Sequence, residues 1–206
     1  MPENVTDPVF EKKNVEYQEY VKRQGLKANN PEKRKILIKK IPNRIKKFER
    51  FFTQAEPFLV PGKMLCLGAR TGCENKAANN LGYNALGIDL YPLDPVVIKA
   101  DWHDIPFDDG SFDNVYTNAI DHCFDVQKLA KEVRRVLKYK GRFFFQTSKK
   151  QMLKTKEDRE QYISASSNFL FWDDGMSLAK HLTQFGFEIM ADWYEGKWES
   201  FILEAV

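Results

Sequence analysis

Two glycines, Gly68 and Gly72, bound the turn GARTG, and a short apolar run from Met64 to Leu67 leads into it. Glycine lets a backbone bend sharply and approach a ligand with no β-carbon in the way. Asp89 stands 21 residues past Gly68, at the end of the next apolar run. That is near the separation at which a carboxylate at a strand tip receives ribose hydroxyls, so the pattern implies a ligand containing a ribose. Counted from Gly68, the third and sixth positions of G-x-G-x-x-G hold Arg70 and Cys73. Two of the three glycines that admit a pyrophosphate are therefore missing, which disfavours a dinucleotide, and no G-K-[ST] follows to make a P-loop. A ribose with an adenine and no phosphate remains open. Asp101 follows a third apolar run, where a carboxylate can accept a hydrogen bond from an exocyclic adenine amine, and Trp102 is available to cover the base.

These residues need strands to hold them. Apolar runs at Met64 to Leu67, Ala85 to Leu90, Val96 to Ile98, Phe112 to Tyr116 and Arg142 to Gln146 read as strands. Between them lie helical stretches, one ending at Gly82 and one from Asp125 to Lys140 with Val126, Leu129, Val133 and Val136 on one face. Repeated β-α units imply an α/β fold with a doubly wound, mostly parallel sheet covered on both faces. A helix from about Gly175 to Phe185 precedes FEIMADWY and KWESFILEAV around Glu195-Gly196, which predicts a C-terminal antiparallel hairpin. The first fifty residues read as helices set by breakers: Pro8 to Arg23 with Gly25 as its stop, a second start at Asn30-Pro31, and a third short helix marked by Ile45, Phe48 and Phe52. The expected organisation is an N-terminal helical cover over 1–54 and a ligand-binding domain over 55–206. The charged stretch at 149–174 is a lid or surface excursion within the second unit.

From Lys63 to Ser148 the order LCLGARTG, ALGIDL, ADWHDIPFDDGSFDNVYTNAIDH and LAKEVRRVLKYKGRFFF resembles a class I S-adenosylmethionine-dependent methyltransferase of the type 11 kind, and the hairpin extends the likeness to Val206. The resemblance implies a Rossmann-like fold and S-adenosyl-L-methionine as cofactor. By position, Gly68, Ala69 and Gly72 would flank the methionine portion, and Asp89, with Leu90 beside it, would bind the ribose. Asp101 would meet the adenine amine, Trp102 would lie against the ring, and Asn118 would face the cofactor's amino group through its backbone carbonyl. The family usually has an acid where Cys66 stands and a glycine where Arg70 stands. Arg70 then pairs with the cofactor carboxylate or turns to solvent.

A sulfonium methyl is already activated, so such a protein mainly holds a nucleophile in line in a dry pocket. The candidate base is His122 with Asp121 beside it, and Asp121 is equally placed to cap a helix. The stretch NAID after the fourth strand lacks the Asn/Asp-Pro-Pro-aromatic motif of nucleic-acid amine methylation, and no Pro-Cys pair offers the nucleophile of cytosine C5 enzymes. A small-molecule acceptor is the leading expectation. Phe169, Phe171, Trp172, Trp193 and Trp198 either roof an acceptor pocket or fill the core, with ordinary burial the stronger reading.

One feature stands apart from the resemblance. The run from Lys33 to Arg50 holds nine Lys or Arg and one acid, Glu49, within a chain whose net charge is only +3. Such a strip tracks phosphates, which makes an RNA- or polyanion-binding protein on the same fold the alternative. Interleaved Ile36, Leu37, Ile41, Ile45 and Phe48 favour an amphipathic helical cover. At 206 residues and 43% hydrophobic, the chain can bury one sizeable core, which excludes a disordered protein. No apolar stretch approaches membrane-spanning length, and MPENVTDPVF has none of the marks of a secretory signal. Cys66, Cys73 and Cys123 form no C-x-x-C pair and no metal cluster, so free thiols and a cytoplasmic location are expected.

Overall fold

The computed structural model describes residues 9–11, 16–148, 170–172 and 174–206. Strand β1 (Val9–Glu11) is followed by helices α1 (Tyr17–Ala28), α2 (Pro31–Lys39) and α3 (Ile41–Ala55). The alternating part runs β2 (Lys63–Leu67), α4 (Cys73–Asn80), β3 (Asn84–Asp89), β4 (Val97–Lys99), β5 (Phe112–Thr117), α5 (Val126–Val136) and β6 (Leu137–Ser148). It ends with β7 (Leu170–Trp172), α6 (Gly175–Thr183), β8 (Phe187–Glu195) and β9 (Trp198–Ala205).

Seven strands form one sheet in the order β4-β3-β2-β5-β6-β9-β8. The contacts among β4, β3, β2, β5 and β6 are parallel, and β9 is antiparallel to both β6 and β8. Strand order reverses at β2, which lies between β3 and β5, so a crevice opens at the tips of these strands. The period-2 pleat sorts the core into two layers. Leu65, Leu67, Val115, Phe143 and Phe145 pack with Leu129 and Val133 of α5 and Leu178 of α6. On the opposite face, Met64, Cys66, Tyr116 and Phe144 meet Phe48, Phe51 and Phe52 of α3 and Ala77 and Ala78 of α4.

Local signals placed most boundaries. Asn30 caps α2 by accepting a hydrogen bond from Lys33 N, with Pro31 at the first helical position, and Pro42 opens α3. Gly186 and Gly196 take positive φ at the turns flanking β8.

Three elements differ from the expected ones. Residues Val9–Glu11 do not start a helix but pair antiparallel with β7. Helix α1 begins at Tyr17 and runs through Gly25, which is buried within it. A β-carbon at Gly25 would lie 2.9 Å from the Tyr91 ring, so the glycine lets α1 settle on that ring, and the packing outweighs glycine's helix cost of about 1 kcal/mol. The helix expected to reach Lys140 stops at Val136, because Leu137 enters the sheet opposite Phe112. Lys140 then takes a φ of 60° in the bulge that restores register at Asn114 and Arg142. Of the expected lid at 149–174, residues 149–169 and 173 lie outside the described residues.

Candidate active site

A cavity of about 360 Å³ lies over the tips of β2, β3, β4 and β5. Gly68 lines it with a φ of +71°, and a β-carbon there would crowd Ala119 at 3.1 Å and Trp102 at 3.3 Å. Arg70, Asp89, Leu90, Trp102, Asn118, Asp121 and His122 line it as well. Ala69 and Gly72 are not among the lining residues. Ala69 turns into the core layer beneath α3 and α4. Gly72, at φ +66°, starts α4 beside Asp94, whose side chain an added β-carbon would approach to 3.2 Å.

Backbone hydrogen bonds aim the Asp89 carboxylate. Its two oxygens accept from Tyr91 N at 2.7 Å and Arg70 N at 3.2 Å, leaving lone pairs free on a buried acid at the cavity wall. The Arg70 guanidinium does not turn to solvent: its Nε lies 3.5 Å from Asp89.

Asp101 sits just behind the lining, held by a network that sequence reasoning missed. His103, which is buried, donates from its backbone N at 2.9 Å and faces the same carboxyl oxygen with Nδ1 at 2.9 Å. Its Nε2 accepts from Asp125 N at 3.3 Å, so the ring proton belongs on Nδ1 and points at Asp101. The Tyr17 hydroxyl of α1 donates to the second oxygen of Asp101. Burial alone would raise the Asp101 carboxyl, but these hydrogen bonds outweigh it and hold its pKa at about 2.

Asp121 and His122 share a single 3-10 turn, Ile120–His122, in which His122 N bonds Ala119 O at 2.9 Å. Asp121 is not the cap of α5. Asp125 does that work, accepting from Lys128 N at 2.8 Å.

Apart from Trp198, which the sequence offered as roof or core, the roof comes from residues that were not candidates for the site. Tyr20, Gln24 and Lys27 of α1, Leu37 of α2, Arg44 of α3 and Trp198 of β9 all face the cavity. The α1 residues follow an i, i+4, i+7 spacing, the one signal that pointed to a shared face. Burial, and then the nearby Arg70, lower the Lys27 pKa. Trp198 lies on the cavity wall, a departure from the expected core role, whereas Trp172 is core and Trp193 packs against Phe144. Phe169 and the Phe171 side chain lie outside the described residues.

Beneath the turn, Cys66 is fully buried, and burial together with Glu74 pushes its thiol pKa well up. The acid missing from position 66 has a near counterpart in α4, where buried Glu74 pairs with Arg44 at 3.0 Å. Burial raises the Glu74 pKa against the pull of Arg44.

The cavity's polar lining suits an adenosyl sulfonium compound. The turn at Gly68 has no room for a side chain, and Trp102 Nε1, Gln24 Nε2 and Arg70 Nε are buried without hydrogen-bond partners among the described residues. Those donors call for acceptors that a ligand carries. Residues 65–145 match the family model described as a methyltransferase domain. The chain carries a class I S-adenosylmethionine-dependent methyltransferase domain.

Solved structures share the fold of this methyltransferase. One is 1,6-didemethyltoxoflavin-N1-methyltransferase of Burkholderia thailandensis, crystallised with 1,6-didemethyltoxoflavin and S-adenosylhomocysteine: TM-score 0.69, 11% identity, 95% of this chain and 93% of that one. The PH0226 protein of Pyrococcus horikoshii aligns with TM-score 0.63 and 20% identity over 87% and 93% of the two chains. A SAM-dependent methyltransferase of Methanosarcina mazei gives TM-score 0.58 and 18% identity over 73% and 96%. No curated protein matches the chain. Among the described residues of the methyltransferase, no helix is long and apolar enough to cross a membrane.

Proposed function

We propose that this methyltransferase acts on a small-molecule acceptor held inside the roofed cavity, by in-line displacement at the sulfonium. The observation that carries this reading is the roof: α1, α2 and α3 place Tyr20, Gln24, Lys27, Leu37 and Arg44 over the strand tips. A space of about 360 Å³ falls in the range of small-ligand sites, which favours a small acceptor.

Bound S-adenosylmethionine supplies an already activated methyl group. The chain's own residues then have to bind, orient and exclude water. In this reading Asp89 accepts the ribose hydroxyls, with Leu90 beside it. Trp102 would cover the adenine, and Asp101 would accept from the adenine amine through the oxygen that Tyr17 engages, while His103 keeps its other oxygen fixed. Gly68 would give the amino-acid end its room, Asn118 would offer a backbone carbonyl to the ammonium, and Arg70, which lies beside Asp89, would hold the carboxylate. Ala69 and Gly72 would shape the turn that flanks the methionine portion. His122, with Asp121 next to it, faces the cavity where it can take the proton of a protic acceptor.

Calorimetry with S-adenosylmethionine, S-adenosylhomocysteine and NAD tests the first half: the two sulfur compounds should bind and NAD should not. Incubation with labelled methyl donor and fractionated cell extract tests the second. Label should appear in the low-molecular-mass fraction, and label confined to RNA or protein would end the small-molecule reading. If His122 is the base, His122→Ala lowers turnover by about 100-fold or more, and unchanged turnover removes it from the mechanism.

A further inference from the structure

We propose that the acceptor is an anion, whose carboxylate or phosphate docks against the inward face of α3 at Lys47, Arg44 and the Trp198 ring; this rests on the methyl-transfer reading above. Helix α3 does not turn all of its basic residues outward. Lys46 is exposed, as are Lys33, Lys35, Lys39 and Lys40 on the preceding stretch, so those charges are solvated. Arg44 and Lys47 instead share the face of Phe48, Phe51 and Phe52, which are buried against the sheet. The spacing i, i+3, i+4, i+7 makes this unavoidable on an α-helix.

Aromatic rings back this face. The Lys47 ammonium lies 3.8 Å from the Trp198 ring centroid and 5.0 Å from that of Phe51. Arg44 stands 5.3 Å over Phe48, Arg50 is 5.6 Å from Phe51, and Lys197 approaches Trp198 from the turn at 5.6 Å. Among the described residues, two carboxylates answer these four cations: Glu74 at 3.0 Å from Arg44, and Glu195 at 2.7 Å from Arg50. Among the described residues, no carboxylate lies within 4.0 Å of Lys47 or Lys197. Arg44 Nε is in addition buried without a hydrogen-bond partner.

Arg44 and Trp198 both line the cavity, and Lys47, which is not a lining residue, rests on the Trp198 ring at the edge of that lining. A half-buried ammonium crowded by other cations is costly unless an anion answers it. Burial, followed by Arg44, Lys197 and Arg50, lowers the Lys47 pKa to about 8. A guanidinium beside an ammonium, over a flat ring, is a donor set for an oxyanion attached to a planar or apolar body. The shared chemistry is a carboxylate or a phosphate, and the two are separated by experiment.

The test titrates protein saturated with S-adenosylhomocysteine, at constant ionic strength, with sodium phosphate in one arm and malonate in the other, read by calorimetry and tryptophan fluorescence. At least one anion should bind, Lys47→Gln should weaken it tenfold or more while S-adenosylhomocysteine affinity stays within twofold, and Lys47→Arg should restore most of it. The stronger arm names the acceptor's anionic group. The proposal is overturned if neither anion binds the loaded protein, or if anion and S-adenosylhomocysteine displace each other, which would assign the cations to the cofactor's carboxylate. A single-stranded RNA oligonucleotide whose salt-sensitive binding depends on Lys47, with neither small anion binding, overturns it in favour of a polymer. If S-adenosylhomocysteine fails to bind at all, the cofactor reading fails instead. The same titrations on unloaded protein then decide the anion site, and Trp198→Leu, which removes the ring and leaves the charges, replaces Lys47→Gln if that variant does not fold.

Discussion

The strand-tip crevice and the helical cover hold their polar groups in different ways. In the crevice, backbone groups do much of the holding: Arg70 N and Tyr91 N aim Asp89, His103 N joins its ring and the Tyr17 hydroxyl on Asp101, and Leu67 O accepts from Thr117 Oγ1 at 3.1 Å. In the cover, side chains rest on rings, and Lys47 and Arg44 are positioned by Phe48, Phe51 and Trp198. Tyr91 N and His103 N lie two residues from the acids they aim, and the Arg70 and Thr117 contacts join neighbouring strand tips, so this placement follows from the sheet itself, is rigid and suits an invariant ligand. Ring placement depends on packing between distant segments, so it can be altered without disturbing the strands. The crevice therefore fits the part of the ligand pair that every methyl transfer shares, and the cover fits the part that differs.

The largest expected effect tests whether the cover is structurally separate at all. Phe52 of α3 is fully buried against Tyr116, with ring centroids 4.8 Å apart. Phe52→Ala should cost about 3 to 5 kcal/mol in urea unfolding. A loss under about 1 kcal/mol would show that α3 is loosely attached and would break the comparison. Asp89→Ala acts on the crevice alone. It should weaken S-adenosylhomocysteine binding by about 1 to 3 kcal/mol in calorimetry, and an unchanged Kd would mean that the ribose sits elsewhere.

Gly25→Ala sharpens the boundary between the regions. Its β-carbon meets the Tyr91 ring at 2.9 Å, and the Tyr91 hydroxyl donates to Val21 O at 3.1 Å. Gain in helix propensity offsets part of the overlap, so thermal unfolding should register a net loss of about 1 kcal/mol. A gain in stability would mean that α1 tolerates a shift away from Tyr91.

The smallest effect is a pH dependence at Lys47. Its folded pKa of about 8 lies below the ordinary 10.5, so between those values the unfolded chain binds the extra proton. The cost of its charge is fully present below pH 8 and fades as pH rises to 10.5. Solvent screening of a half-exposed ammonium limits this to about 1 kcal/mol or less. Lys47→Met should therefore gain on the wild type at pH 7 relative to pH 10.5 in paired urea titrations. An identical difference at both values would show that the lysine is well solvated.

Much of this was legible before the structure. The alternation of apolar runs and helical stretches predicted the doubly wound sheet and its antiparallel end, because strand and helix periods are local properties of the chain. Gly68, Asp89 and Trp102 were readable for the same reason, since spacing along successive β-α units places them at neighbouring strand tips. Asp101 was readable as an acid at such a tip, but its engagement by Tyr17, 84 residues away, was not. Asp121 was ambiguous as a cap because Asp125, four residues on, meets the same requirement and wins it.

The amino-acid sequence by itself determined the sheet and the crevice, because both rest on short-range periodicity and on residue types at strand ends, and its resemblance to a known family supplied the class of chemistry. Tertiary structure alone decided which residues close the cavity. Tyr20, Gln24, Arg44 and Trp198 come from three distant elements, and only the packing of α1 and α3 against the sheet brings them to one wall. It also decided which basic residues of the run at 33–50 face inward. Charge is visible in a sequence, but the direction a helix turns it depends on the partner that buries the opposite side chains.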